Sequence, residues 1–313
     1  MNFQQLRYIH EVARRGLNVS DAAEALYTSQ PGVSKQIRLL ESELGVEIFA
    51  RHGKRLVAIT EPGRAVLAIA ERMLRDADNL QQVGEEFSNE SAGRLSIATT
   101  HTQARYVLPR VVRDFMQRYP KVRLELHQGN PQQVCDMVLK GSADIAIATE
   151  AIADNPELLM LPCYQWNRCV VATPRHPVLR EQPLTLEAIA RYPLITYDDA
   201  FTGRGQINKA FLGRGLKPNV VLTAIDSDVI KKYVEMDLGI GILARMAYDA
   251  DEDRRLGMID ASHLFESSTT RIGVRRRAWL RGYVYAFIEG FAPQLTRSMV
   301  EQTLAGGGTD AGL

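Results

Sequence analysis

Between residues 1 and 60 the chain alternates short, apolar-striped runs with breaks of Gly, Asn, Ser and Pro, and that spacing leaves few folds open. The first run places Phe3, Leu6, Ile9 and Ala13 on one helical face, and Gly16 and Asn18 end it. Ser20 offers an N-cap to a second, very short helix carrying Ala22, Ala23 and Leu26, with Glu24 near the place of a capping-box partner. After the turn Thr28-Ser29-Gln30-Pro31-Gly32, a third run turns Val33, Ile37, Leu40 and Leu44 inward, and Gly45 stops it. Its other face carries Gln30, Ser34, Lys35 and Arg38. Two short helices, a tight turn and a third helix with a polar outer face are helix-turn-helix geometry. Residues 48–57 then predict a small hairpin, a wing, whose tip holds Arg51, Lys54 and Arg55 and no acid.

From Thr60 the pattern changes to one long helix. Thr60 can cap it and Pro62 suits its first turn. Val66, Ala70, Met73, Ala77, Leu80, Gly84 and Phe87 recur at an alternating four-three spacing, the seam of a coiled coil. Two partners fit such a stripe: the same helix of a second copy, or the chain's own core. The pattern favours the homodimer. Asn89-Glu90-Ser91-Ala92-Gly93 reads as a polar hinge.

Beyond the hinge, strands and helices alternate. Strands at 95–99, 122–126 and 143–147 with helices at 102–118 and 131–140 give a βαβαβ unit with a parallel sheet. A second unit has strands near 168–173, 194–197, 220–222 and 240–243, with helices at 185–191, 205–214 and 227–236. A strand at 271–276 and a final helix at 279–290 are expected to return to the first unit. The fold class is therefore an all-α winged helix-turn-helix domain, a long linker helix, and an α/β effector domain of two Rossmann-like lobes. Such a pair of lobes resembles a periplasmic-type binding fold with a ligand cleft between them. The expected boundaries are 1–60 for the DNA-binding domain, 61–90 for the linker and hinge, and 91–305 for the effector domain. Within the last, lobe 1 takes about 91–162 and 268–295 and lobe 2 about 163–267. The Gly-rich tail 306–313 is expected to be disordered.

Composition closes off other classes. Over 313 residues, 45% hydrophobic and 24% charged content excludes a disordered chain and a disulfide-stapled mini-domain. No apolar run is long enough to span a bilayer, and the first residues lack the layout of a signal peptide, so a cytoplasmic protein with no membrane partner is expected. The net charge of +1 does not flag nucleic-acid binding; any such activity must sit in a local patch. Cys135, Cys163 and Cys169, odd in number and without zinc-like spacing, read as reduced core residues.

The stretch from Ala22 to Gly63 carries a more specific signal. Ala22-Ala23, Leu26, Ser29-Gln30-Pro31, Val33-Ser34, Gln36-Ile37, Leu40-Glu41, Leu44-Gly45, Ile48-Phe49, Arg51, Lys54-Arg55 and Thr60…Gly63 resemble the LysR family of bacterial transcriptional regulators. The family's usual Ala before the last glycine is Pro62 here, a departure at a helix start. A helix fits the major groove, and its first residues face base edges. Gln30 can bond adenine, and Ser34 a base or a phosphate. Lys35, Arg38, Arg51, Lys54 and Arg55 suit phosphates. The resemblance implies Gln30, Pro31, Ser34 and Lys35 as groove contacts, with Ser29 at the head of the helix. It also implies double-stranded promoter DNA and RNA polymerase as partners, and a homotetramer built as a dimer of dimers.

A second resemblance lies downstream. Residues 98–106, His127-Gln-Gly129, 146–151, 161–164, Trp166-Asn-Arg168 and Phe201-Thr-Gly-Arg204 are similar to the cysteine-regulon branch of that family. Thr99-Thr100-His101-Thr102-Gln103 sits where a strand ends and a helix begins, so free amides and a positive dipole end gather there. Thr149 ends another strand, and Thr202-Gly203 opens a helix start in the second lobe. From the residues alone these threonines serve equally as caps or sheet positions, and Trp166 as hinge packing or a contact. The resemblance implies Thr100, Thr102, Gln103, Thr149 and Thr202 as effector contacts. It implies N-acetylserine or O-acetylserine as inducer, opposed by sulfate or thiosulfate.

Weaker patterns point elsewhere. Gly239-Ile-Gly241-Ile-Leu-Ala244 fits a dinucleotide fingerprint but enters a strand from a helix, the reverse of the needed order. The six histidines show no metal spacing, and no triad or nucleophile–base pair is visible, so no cofactor, metal or catalytic residue is expected. Two other readings stay open: a related regulator sensing another small anion, and a solute-binding protein with an incidental helical N-terminus.

Overall fold

The computed structural model describes residues 1–53, 55–88, 92–149, 155–199 and 204–306. Lys54, Thr202, residues 89–91 of the expected hinge and residues 307–313 of the tail lie outside them. The chain divides into two compact units, Met1–Ser88 and Asn89–Leu313.

In the first unit, α1 (Phe3–Arg14), α2 (Val19–Ala25) and α3 (Gln30–Leu44) precede the hairpin β1 (Phe49–His52) and β2 (Arg55–Ile59) and the long helix α4 (Glu61–Ser88). The core is built from Leu6, Ile9, Val12, Ala22, Val33, Ile37, Leu40, Ile48 and Phe49. Two ends of the expected stripes fall outside it: Phe3 is 50% and Leu44 38% exposed. Phe3 opens α1 and Leu44 closes α3, so each stands at a helix end, where fewer neighbours reach over it. The N-cap of α2 is Asn18, not Ser20: its Oδ1 accepts from the Ser20 and Asp21 amides at 3.0 and 3.3 Å. The Thr60 hydroxyl caps α4, accepting from Gly63 N at 2.9 Å.

Helix α4 divides its stripe. Ala70 is buried and Val66, Leu67, Met73 and Leu74 pack on the unit's own core. On the same helix Ile69 is 48% and Leu80 72% exposed. The face of α4 that carries Val66, Ala70 and Met73 is thus held by its own domain, while Ile69 and Leu80 are open to solvent.

In the second unit the chain order is β3 (Ala92–Thr99), α5 (His101–Tyr106), α6 (Leu108–Arg118), β4 (Lys121–Gln128), α7 (Pro131–Leu139), β5 (Ile145–Thr149), β6 (Leu158–Trp166), β7 (Arg168–Ala172), α8 (Leu186–Ala190), β8 (Leu194–Tyr197), α9 (Arg204–Gly213), β9 (Val220–Ala224), α10 (Ser227–Glu235), β10 (Ile240–Ala244), β11 (Gly257–Asp260), β12 (Ser268–Arg275), α11 (Gly282–Phe291) and α12 (Arg297–Ala305). They form two five-stranded sheets, ordered β4-β3-β5-β12-β6 and β11-β7-β10-β8-β9. The chain crosses between them at Asn167 and again between β11 and β12. Each sheet is mixed: β3 pairs parallel with β4 and β5, whereas β12 runs antiparallel to β5 and β6. The expected βαβαβ unit is thus parallel over β4, β3 and β5, and the returning β12 joins it antiparallel because it enters from the opposite end.

The expected helix 102–118 is two helices. Pro109 lacks the N–H that a continuous helix would need, and Val107 stands between them at φ −111°. Strands β6 and β11 and helix α12 had no clear periodic signal. Val300 of α12 nevertheless joins the core of the first lobe. Gly241 is packed, not nucleotide-binding: a Cβ there would come within 2.8 Å of Val171 and 3.0 Å of Ile230.

Candidate functional site

Helix α3 begins at Ser29, whose hydroxyl accepts from Gly32 N at 3.3 Å, and this capping sets the helix on the surface with Gln30 and Pro31 leading. Gln30, Pro31, Lys35 and Arg38 are exposed and Ser34 half-buried. Gln30 Nε2 donates to Ser34 Oγ at 3.1 Å, one turn on, which holds the two side chains side by side. In the hairpin, Gly53 turns the chain at φ +63°, and Arg55 is exposed. Arg51 differs from its neighbours. Its guanidinium donates to Glu41 Oε2 at 2.6 Å, while Glu41 Oε1 accepts from the amides of Ile48 and Phe49 at 2.9 and 3.1 Å. Arg51 therefore pins the hairpin to α3. Glu41 was part of the family pattern, but nothing in its spacing marked it as a buried acceptor.

In the second unit, Thr100, Thr102 and Gln103 lie on or beside α5, and Thr149 ends the neighbouring β5. Thr100 is buried and makes no capping hydrogen bond, although a helix leaves its first amides without internal partners. Gln103 is 1% exposed and fixed at both ends of its carboxamide: Nε2 donates to Thr270 Oγ1 at 3.1 Å, and Oε1 accepts from the Tyr164 hydroxyl. Thr270 stands directly opposite Thr149 in the sheet. From the other lobe, the buried Tyr197 hydroxyl is hydrogen-bonded to Ser227 Oγ at 2.6 Å and meets the Thr102 hydroxyl. Thr99, by contrast, spends its hydroxyl on the Ile147 carbonyl at 3.0 Å.

Tyr164, Tyr197 and Thr270 complete this polar cluster and were not singled out from sequence; each is distant in the chain from the threonines it joins. Two further buried groups, the Trp166 indole N–H and the Thr196 hydroxyl, have no hydrogen-bond partner among the described residues. Burial pushes the Tyr197 hydroxyl above its ordinary range, so it stays a neutral donor and acceptor. Such uncharged donors, desolvated and fixed, suit a small anion or a polar metabolite better than a cation.

The three cysteines are free and buried, and burial raises Cys163 and Cys169 to about 12 and Cys135 to about 11. Protonated thiols in that setting are poor nucleophiles. Among the described residues no helix is long and apolar enough to cross a membrane.

A capped surface helix beside a basic hairpin, and a two-lobed α/β unit with a buried cluster of polar side chains, are the parts of a DNA-binding regulator with a ligand-binding domain. Residues 3–64 match the bacterial regulatory helix-turn-helix proteins of the lysR family, and residues 88–295 the LysR substrate binding domain. The chain belongs to the LysR family of transcriptional regulators. It is 54% identical over 300 residues to the HTH-type transcriptional regulator SsuR of Burkholderia cenocepacia, covering 96% of this chain and 97% of that one. It is 53% identical over 306 residues to the regulator CysB of the same organism, covering 98% of each. The crystal structure of the cofactor-binding domain of the Cbl transcriptional regulator aligns with a TM-score of 0.67 and 42% identity, over 70% of this chain and 96% of that one.

Proposed function

We propose that this protein is a cytoplasmic regulator of sulfur-assimilation and cysteine-biosynthesis genes, controlled by a small anion held between its lobes. The observation that carries the sulfur role is the similarity to CysB and SsuR over almost the whole chain. In this reading Ser29, Gln30, Pro31, Ser34, Lys35 and Arg38 meet the major groove, and Arg51, Lys54 and Arg55 the phosphates. Thr100, Thr102, Gln103, Thr149 and Thr202 hold the effector: N-acetylserine or O-acetylserine as inducer, sulfate or thiosulfate opposing it. Effector occupancy favours one arrangement of a homodimer, and of a homotetramer made from it, and thereby moves paired heads along promoter DNA near RNA polymerase. The exposed Ile69 and Leu80 on α4 support the dimer, because a second copy of that helix would cover them. The uncharged lining also admits a second reading, a family member tuned to another small anion.

Two measurements test the two halves. Gln30→Ala is expected to weaken operator binding by about 1–3 kcal/mol and random DNA much less, while Arg55→Ala lowers the slope of log K against log salt by about one unit. An equal loss of Gln30→Ala binding on both DNAs would remove its base-reading role. Sulfate or N-acetylserine is expected to raise the Tm of the full-length protein, and Thr149→Val to abolish the shift. A shift that survives in Thr149→Val places the ligand elsewhere, and one produced only by some other anion selects the second reading.

A further inference from the structure

Helix α5 is anchored on both sides, and the two anchors belong to different lobes. On one side Gln103 is bonded to Tyr164 and Thr270 of lobe 1. On the other, Tyr106 Oη donates to Asp228 Oδ1 of α10, in lobe 2, at 2.6 Å. The Tyr106 ring also packs against the lobe 2 core. Arg105 Nε lies 3.4 Å and His101 Nε2 3.8 Å from Asp228 Oδ2. Behind them Lys231, only 7% exposed, has its Nζ 3.5 Å from Asp228 Oδ1, 3.0 Å from Asp253 Oδ1 and 5.1 Å over the Tyr106 ring.

We infer that Asp228 is a positioning residue of the effector cleft: through Tyr106 and Arg105 it holds α5, and with it Thr100 and Thr102, at the distance from lobe 2 that one small ligand bridges. This rests on the anion reading of the cleft. A carboxylate so near an anion would repel it, and the flanking Lys231 and Arg105 offset that charge. Burial alone would raise the Asp228 carboxyl, but Tyr106, Lys231 and Arg105 together hold it below its usual range, so the tie persists at neutral pH. His101, Asp226 and Asp228 do bring possible ligand atoms within 4.8 Å of one another. However, Asp226 Oδ1 already accepts from Val229 N at 2.8 Å, and two protein cations flank Asp228. The group is an ion-pair node and not a metal site.

The test uses full-length protein with Asp228→Ala, Tyr106→Phe and the double variant. Calorimetric titration with sulfate is combined with hydrogen exchange of the 101–107 segment in ligand-free protein. Removing a hydrogen bond to a charged group is expected to weaken sulfate binding about tenfold in Asp228→Ala and several-fold in Tyr106→Phe. The double variant should be no weaker than Asp228→Ala, because both act through one contact. Amides of α5 should exchange about tenfold faster in Asp228→Ala while β7 and β10 keep wild-type protection. Unchanged α5 exchange, additive losses, or wild-type sulfate affinity in Asp228→Ala would each overturn the assignment. If wild-type protein binds neither sulfate nor N-acetylserine, the anion reading fails, and the exchange arm alone decides whether Asp228 holds α5.

Discussion

Glu41→Ala is expected to abolish operator binding by unfolding the DNA-binding unit, although Glu41 touches no DNA in the proposed complex. The carboxylate is 7% exposed and accepts from two backbone amides, Ile48 and Phe49, as well as from Arg51. Truncation leaves both amides and a half-buried guanidinium without their acceptor. Losing one partner of such a buried group costs about 3–5 kcal/mol, a large share of the stability of a unit this size. The hairpin loses its ties to α3 through Phe49 N and Arg51 at the same moment. Urea unfolding of the full-length protein should show an early transition for this unit alone, with the second unit's transition unchanged. A variant that keeps the wild-type midpoint and still shifts operator DNA would show that the carboxylate is dispensable.

The second large effect lies at Arg168, the bulkiest of the fully buried side chains at 1% exposure. Its guanidinium donates to the Glu266 carbonyl at 2.9 Å and to Ser268 Oγ at 2.8 Å, and lies 5.1 Å over the Trp166 ring. Arg168 sits on one crossing between the lobes and Glu266–Ser268 on the other, so this one side chain joins both crossings. Arg168→Ala opens a cavity and strips two acceptors at once, for an expected loss of about 3–5 kcal/mol. Arg168→Lys should recover little, since an ammonium cannot stack flat on the indole while serving both acceptors. The checks are the midpoint of the second unit's unfolding and the anion-induced rise in Tm. Wild-type values for both in Arg168→Ala would mean that the crossings are held by other contacts.

Much of the DNA-binding unit was legible because its rules are local. Helix spacing, the Ser29-Gln30-Pro31 start and the Gly45 stop depend on neighbours a few residues apart, and so does the turn at Gly53. The misreadings there were also local in origin: Ser20 and Asn18 are both good caps, and only the backbone path decides which oxygen faces the free amides. The roles of Glu41 and Arg51 were not legible. A glutamate at that spacing reads as a solvated helix face until a hairpin folds over it.

The cleft divides in the same way. Thr100, Thr102 and Thr149 could be picked out as hydroxyls at strand ends, where parallel α/β units place ligands. Their companions Tyr164, Tyr197, Ser227 and Thr270 come from strands and helices as far as 167 residues away in the case of the Gln103–Thr270 bond. No periodicity links residues so distant. By itself, then, the sequence determined most of the elements, the family and the polar outer face of α3, because these follow from contacts within a turn or a strand. The tertiary structure alone decided which buried charges hold the hairpin, the two crossings and α5, because long-range pairing is set by how sheets and helices stack and not by the order of residues along the chain.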